Sequence, residues 1–205
     1  MLRRLVGNTL RSLGLYHMMM RRLRPVRGPD PSETSKCRAR LAPYCTGYGV
    51  DLGFGGDPIT PQAVRVDLPS PYTFVGHYPV QLGGDCANLV WFRDGVLDFV
   101  YSSHLLEDFV DTRAALVEWL RVLKPGGHLV IFCPDEQRFR AHCARTGQAY
   151  NPNHKHAHFS LEFVEGLLRD IGRSRPVYRN PDVDLYSWDL VVEKLPASAS
   201  ASSPR

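Results

Sequence analysis

Val50-Asp51-Leu52-Gly53-Phe54-Gly55-Gly56-Asp57-Pro58 sets a carboxylate beside three glycines within nine residues. Glycine lacks a Cβ, so its backbone can take positive φ and lie close to a ligand. Asp51 can hold such a loop by accepting backbone N–H bonds, or it can reach a cationic ligand. More chemistry follows. Asp67 lies sixteen residues beyond Asp51, and Gly84-Asp85-Cys86-Ala87 brings another acid at a turn. Ser102, Ser103 and His104 close an apolar run. His154, His156 and His158 alternate within Asn151-Pro152-Asn153-His154-Lys155-His156-Ala157-His158. Carboxylates accept hydrogen bonds from hydroxyls and attract cations, and imidazoles move protons near neutral pH. Alternate histidines on an extended segment could meet a metal, which needs several ligands at short range. No acid or cysteine stands beside these three in the sequence, so no metal is expected.

These residues need strands and turns to hold them. The glycine stretch reads as the end of a buried strand at 47–52 followed by a turn. A second strand is expected at 63–67, ending on Asp67, which read blandly is a solvated strand end. A third is expected at 78–82 and a fourth at 96–102. Leu97, Phe99, Val100 and Tyr101 of the fourth are nearly continuous, as suits a central strand covered on both faces. Asp111 can cap a helix running to Leu123. Lys124-Pro125-Gly126-Gly127 then turns the chain into a fifth strand at 128–133. Ser160 can cap a helix in which Leu161, Val164, Leu168 and Ile171 recur at helical spacing until Gly172. Two final strands are expected at 177–178 and 187–193. Trp91, Trp119 and Trp188 read most simply as core. Strands alternating with helices predict a three-layer α/β/α sandwich. Its seven-stranded sheet is mostly parallel and Rossmann-like, with an antiparallel last strand. Ligands bind such sheets at the carboxyl ends of the strands.

With these pieces in place, the chain resembles the class I S-adenosylmethionine-dependent methyltransferases, of the small-domain kind common in bacteria, over roughly residues 47–193. Asp51-Leu52-Gly53-Phe54-Gly55-Gly56 is similar to the family's acidic-apolar-Gly-x-Gly-x-Gly motif. The most specific block is Asp98-Phe99-Val100-Tyr101-Ser102-Ser103-His104-Leu105-Leu106-Glu107, followed by Glu118-Trp119-Leu120-Arg121-Val122-Leu123-Lys124-Pro125-Gly126-Gly127. The resemblance implies S-adenosyl-L-methionine as cofactor. It implies contacts from Asp51, Gly53, Gly55 and Gly56. It also implies a ribose grip from Asp67 with Leu68, adenine contacts from Asp85 and Cys86, and further lining from Ser102 and Ser103. Methyl transfer is a direct displacement at carbon, which needs an aligned nucleophile and, for an acidic O–H or N–H, sometimes a base. His104 and His154 are the candidate catalytic residues, although His104 could equally just hydrogen-bond its loop. Asp57 stands where the family has a third glycine. The stretch before the motif is short, so a lid over the cofactor must come from residues 1–40.

Composition narrows the partners. The net charge is +4, but residues 1–29 carry seven arginines and no acid, leaving 4 − 7 = −3 on the remainder. An acidic body argues against nucleic acid and for a small-molecule or sugar-linked acceptor. The five cysteines show neither CxxC nor metal spacing, which fits reduced thiols. No apolar run reaches membrane-spanning length. Residues 1–36 read as a basic amphipathic segment and linker, 37–194 as the methyltransferase domain and 195–205 as a disordered tail. The basic segment fits a helix over the cleft, a membrane-surface helix or an organelle transit peptide. The expected location is cytoplasmic, with mitochondrial as the alternative. Two other functions compete: a catalytically silent S-adenosylmethionine-binding or partner-regulating protein on this fold, and a nicotinamide-dependent oxidoreductase. The latter needs a Gly-x-Gly-x-x-Gly loop entering a helix directly, and Asp57-Pro58 interrupts that pattern.

Overall fold

The computed structural model describes residues 32–71 and 78–196. The expectations for residues 1–31 and for the tail beyond 196 lie outside them. The helices are α1 (Glu33–Leu41), α2 (Thr112–Val122), α3 (Glu136–Thr146) and α4 (Leu161–Ile171). The strands are β1 (Gly49–Leu52), β2 (Val64–Asp67), β3 (Leu82–Gly83), β4 (Leu97–Ser103), β5 (Leu123–Pro134), β6 (Ser174–Val183) and β7 (Ser187–Lys194). They form one sheet in the order β3-β2-β1-β4-β5-β7-β6. β1 to β5 pair in parallel, and β7 runs antiparallel to both β5 and β6. The expected sandwich with an antiparallel last strand is therefore present.

Alternation along the strands sorts side chains onto two faces. On one face Val50, Leu52, Val100, Leu129, Ile131 and Leu190 pack against Leu116 and Trp119 of α2 and Val164 and Leu168 of α4. On the other, Phe99, Tyr101, Val130 and Phe132 meet Cys37 and Leu41 of α1 together with Ile59 and Ala63. Each large apolar side chain so buried contributes about 1.5–3 kcal/mol. The expected caps form: Asp111 accepts from the Ala114 N–H and Ser160 from the Phe163 N–H. Gly172, at φ 71, ends α4 in the left-handed region.

Several elements differ from the sequence reading. The first strand begins at Gly49, after a turn at Gly47 with φ 85. The third strand is only Leu82–Gly83, because Pro79 has no N–H to give a ladder. β5 starts early, at Leu123, and its register slips before His128 pairs with Phe99. β6 is longer than expected, at Ser174–Val183, and is irregular in register. Two helices were not foreseen. α1 begins at Glu33, inside the stretch read as linker. α3 follows β5, capped by Asp135 and closed by Gly147 at φ 73. Trp119 and Trp188 are core, but Trp91 is 42% exposed and packs over Gly84. All five cysteines are free and buried.

Gly49 is a packing requirement. A Cβ there would sit 2.3 Å from the nearest carbon of the Phe99 ring. Gly49→Ala should lower the unfolding free energy by about 1–3 kcal/mol. Gly166→Ala, inside α4 with only an Arg169 side-chain atom near among the described residues, should raise it by about 0.5–1 kcal/mol. Urea denaturation of the two variants measures both, and a Gly49→Ala protein as stable as wild type contradicts the packing.

Candidate functional site

β1, β2, β4 and β5 are parallel, so their carboxyl ends share one edge, and the loops that leave it carry the candidate residues. The glycine loop leaves β1. Gly53, Gly55 and Gly56 take φ 65, 58 and 93. The Gly53 N–H donates to the Val66 carbonyl at 2.8 Å. Among the described residues, a Cβ on Gly55 would meet nothing closer than the Gly53 carbonyl at 4.0 Å. Asp51 is fully buried beneath the loop. Its Oδ2 accepts the Ile59 N–H at 2.6 Å, and its Oδ1 has no hydrogen-bond partner among the described residues. Burial pushes its carboxyl well above the ordinary range, against the pull of the Ile59 N–H.

Asp67 is a working part of the same loop. Its Oδ2 accepts the Gly55 N–H at 3.2 Å and its Oδ1 the Leu68 N–H at 2.8 Å. It is only 8% exposed, so the bland reading of a solvated strand end is wrong: the glycine loop folds over it. Burial raises its pKa and the two N–H bonds oppose that. The Leu68 side chain is exposed. Asp57 explains the missing third glycine. Its carboxylate accepts from the Ser32 hydroxyl and pairs with Arg38 at 2.6 Å, which fastens α1 to the loop.

The other cofactor candidates divide. Asp85 is exposed, and its Oδ1 accepts the Ala87 N–H at 2.8 Å. The Cys86 thiol is buried, its pKa pushed up to about 12, and its carbonyl accepts the Trp119 indole N–H at 2.7 Å. Ser102 is fully buried and donates to the Leu52 carbonyl at 3.3 Å, tying β4 to β1. The Ser103 hydroxyl is buried with no partner among the described residues. Cys86 and Ser102 therefore serve packing through their side chains. Asp51, Asp67, Asp85 and Ser103 keep polar atoms at or beneath the cleft.

The two candidate histidines meet at one carboxylate. His104 takes φ 49, a left-handed conformation rare for a residue with a Cβ. Its N–H donates to the Phe132 carbonyl at 2.8 Å. Its Nε2 lies 3.4 Å from both Glu33 of α1 and the Ser187 hydroxyl. Its Nδ1 lies 3.8 Å from Oε1 of Glu107. His154 Nε2 lies 3.8 Å from that same oxygen, and its Nδ1 is 2.7 Å from Glu136 Oε2. Burial pulls His104 down to about 4 and pushes Glu107 up to about 8. At neutral pH His104 is thus an uncharged imidazole and Glu107 an uncharged acid. His156 turns away to Thr112 and the Phe109 carbonyl, and His158 to Gln137, so the three alternate histidines do not share a face. Among the described residues no group of three or more His, Cys, Asp or Glu could hold a metal. Glu107 and Glu136 had no role in the sequence reading. The only signal was the i, i+3 placement of Glu107 after His104, at the end of the quoted block.

With this geometry in view, the comparisons with known proteins are direct. A family model described as a methyltransferase domain matches residues 19–131, more than half of the chain. The chain belongs to this family of methyltransferase domains. Over 107 residues it is 36% identical to the demethylmenaquinone methyltransferase of Mycolicibacterium paratuberculosis (strain ATCC BAA-968 / K-10). That match covers 52% of this chain but only 39% of the relative, well under half its length. Among solved structures, one similar chain comes from the complex between the Haloferax volcanii Trm112 methyltransferase activator and a methyltransferase. It has TM-score 0.59 and 18% identity, over 80% of this chain and 89% of that one. A protein from Pyrococcus horikoshii OT3 gives TM-score 0.58 and 18% identity, over 78% and 88%. At these identities the structures share the fold. No helix among the described residues is long and apolar enough to cross a membrane.

The buried acid and imidazole make opposite contributions to stability with pH. Glu107 is raised from 4.5 to about 8, so its contribution is full below pH 4.5 and is lost as pH rises to about 8. His104 is lowered from 6.5 to about 4, so its contribution is full above 6.5 and is lost as pH falls to about 4. Glu107→Gln removes the carboxyl's own dependence. The stability of the variant relative to wild type should therefore rise by about 1.4 kcal/mol per pH unit between those limits. Denaturation curves across this range check it, and a pH-independent difference contradicts a neutral buried Glu107.

Proposed function

We propose that this chain transfers a methyl group from S-adenosyl-L-methionine to a small-molecule or sugar-linked acceptor. One observation carries the reading. Asp67 ends β2 with each carboxylate oxygen already fixed by one loop N–H, from Gly55 and Leu68. A carboxylate has about four lone-pair sites, so two remain for a diol. The site fits the cofactor in other ways. Among the described residues the space beside Gly55 is clear for its bulk, and Asp51 Oδ1 and Ser103 Oγ, buried without a partner there, offer polar atoms. When bound, the cofactor supplies an electrophilic methyl on a cationic sulfur.

The chain's residues then bind, orient and handle one proton. The glycine loop and Asp67 hold the nucleoside. Asp85, exposed after β3, suits the adenine end. An O–H or N–H acceptor loses a proton as it is methylated. His104, neutral and beyond the end of β4, is the group to accept it, and His154 stands behind it as its buried support. Glu33 and Ser187 border the same imidazole, so the acceptor enters between α1 and β7. The net charge of −3 beyond residue 29 supports an acceptor that is not a polyanion. The relative named for demethylmenaquinone supports a small molecule.

The test is calorimetric titration with S-adenosylmethionine. Hydrogen bonds to a charged group contribute roughly 1.5–3 kcal/mol each. Asp67→Ala should therefore weaken binding at least about tenfold. It should also lower stability by about 1–3 kcal/mol, because the Gly55 and Leu68 N–H groups lose their acceptor. Asp67→Asn keeps one carbonyl oxygen and should be milder on both counts. Equal affinity in all three proteins, each folded by circular dichroism, would remove Asp67 from the cofactor site and sink the placement.

A further inference from the structure

Behind His104, five polar side chains stand in a row that leads away from the cleft. Glu107 sits in the short turn Leu106–Asp108 and is 1% exposed. Its Oε2 accepts the Cys133 thiol at 3.4 Å, and its carbonyl accepts the Lys155 N–H at 3.0 Å. The second bond draws the 151–155 loop, and with it His154, onto the turn. Glu107 Oε1 is buried with no hydrogen-bond partner among the described residues. It lies 3.8 Å from His104 Nδ1 and 3.8 Å from His154 Nε2. An orphaned buried oxygen costs about 1–3 kcal/mol unless it serves something. Here it is set between two imidazoles. At 3.8 Å neither contact is a hydrogen bond, but a carboxyl shift of about 1 Å makes either one. Such bonds commonly tighten only when the site fills.

The row continues outward. His154 is 4% exposed, and its Nδ1 meets Glu136 Oε2 at 2.7 Å. The other oxygen of Glu136 accepts the Tyr150 hydroxyl at 2.6 Å and the Arg140 guanidinium at 2.5 Å. Arg140 is half exposed, so the row reaches solvent there. Phe139 and Tyr150 flank the His154 ring, with centroids 5.0 and 5.7 Å away, and hold it in line.

We propose that Glu107, His154 and Glu136 form a buried proton relay that carries the acceptor's proton from His104 to the surface at Tyr150 and Arg140. The proposal rests on the methyl-transfer reading of the same site. The methyl–sulfur bond breaks with its electron pair going to sulfur, and the acceptor–methyl bond forms. The acceptor's proton goes to His104 Nε2. His104 then releases the Nδ1 proton to Glu107, Glu107 releases one to His154 Nε2, and His154 releases its Nδ1 proton to Glu136. Glu136 in turn passes a proton to the Tyr150 hydroxyl, which releases its own to solvent, so each relay member gains one proton and loses one. The positive charge that leaves sulfur leaves the protein as a proton. An imidazole suits the middle of such a row because it can take a proton at one nitrogen and give one up at the other.

Other groups face the same residues. Glu33 and Lys36 of α1 and Asp184 of the β6–β7 turn act on His104, and Asp108, Cys133 and Glu33 act on Glu107. The test is nitrogen-15 NMR of the imidazoles in the full chain, titrated from about pH 4 to about pH 8. In wild type the His104 signals should show two steps, since the Glu107 carboxyl couples to that ring, and the His154 signals should respond to them, since the same oxygen lies 3.8 Å from each ring. Glu107→Gln should leave His104 a single step to which the His154 signals do not respond. Glu136→Gln should change the His154 tautomer while leaving His104 coupled to Glu107. A purely structural Glu107 would alter stability but leave the wild-type His154 signals unresponsive to the His104 steps, and that result overturns the relay. If Glu107→Gln does not fold, the wild-type and Glu136→Gln curves still decide. Titration of the wild-type sample with S-adenosylmethionine separates the two levels. Binding with uncoupled histidines overturns the relay alone. Coupled histidines without binding overturn the methyl-transfer reading and this use of the relay with it.

Discussion

Two carboxylates at the ends of adjacent parallel strands hold one glycine loop from below. Asp51 takes the N–H of Ile59 and Asp67 takes that of Gly55. The loop's glycines take positive φ, and these two carboxylates add to the Gly53 bond to the Val66 carbonyl in fixing its N–H groups. The cost is two buried acids whose charged forms are disfavoured. That cost becomes useful when a ligand brings donors or positive charge to the same oxygens. The sheet supplies the geometry: parallel pairing of β1 with β2 and β4 puts the three strand ends side by side.

The same constraint explains α1. Where a third glycine would leave the loop bare, Asp57 gives it a handle. Ser32 and Arg38 grip that handle, Lys36 reaches Asp184, and Arg40 reaches the buried Asp189 of β7 at 2.7 Å. The helix thus spans the sheet from the glycine loop to the last strand. It also brings Glu33 to the imidazole of His104. A short polar helix here does two jobs: it covers the apolar face through Cys37 and Leu41, and it lines the cleft through its first turn.

How much of this was legible depended on the range of the interactions. β4 and β5 were legible because solid apolar runs need two covered faces. α2 and α4 were legible because their stripes recur over three turns and carry clear caps. α1 and α3 were not: each turns to the core little more than one i, i+4 pair, Cys37 with Leu41 and Phe139 with Cys143, among charged neighbours. The glycine loop and Asp67 could be placed from local order along the chain. The depth of Asp67 could not, since it comes from a loop folding back from another strand. Glu107 and Glu136 were silent for the same reason. A buried carboxylate looks like any surface acid until the chain brings a histidine to it from 18 residues away, as it does for Glu136 and His154.

A crystal structure of the full chain grown with S-adenosylhomocysteine tests whether the cleft above the glycine loop is the cofactor site. The ribose hydroxyls should lie on Asp67 and the nucleoside against Gly53, Gly55 and Gly56, with the sulfur turned toward the His104 side of the cleft. Ordered ligand elsewhere, with the Asp67 carboxylate still bonded only to Gly55 and Leu68, would contradict it.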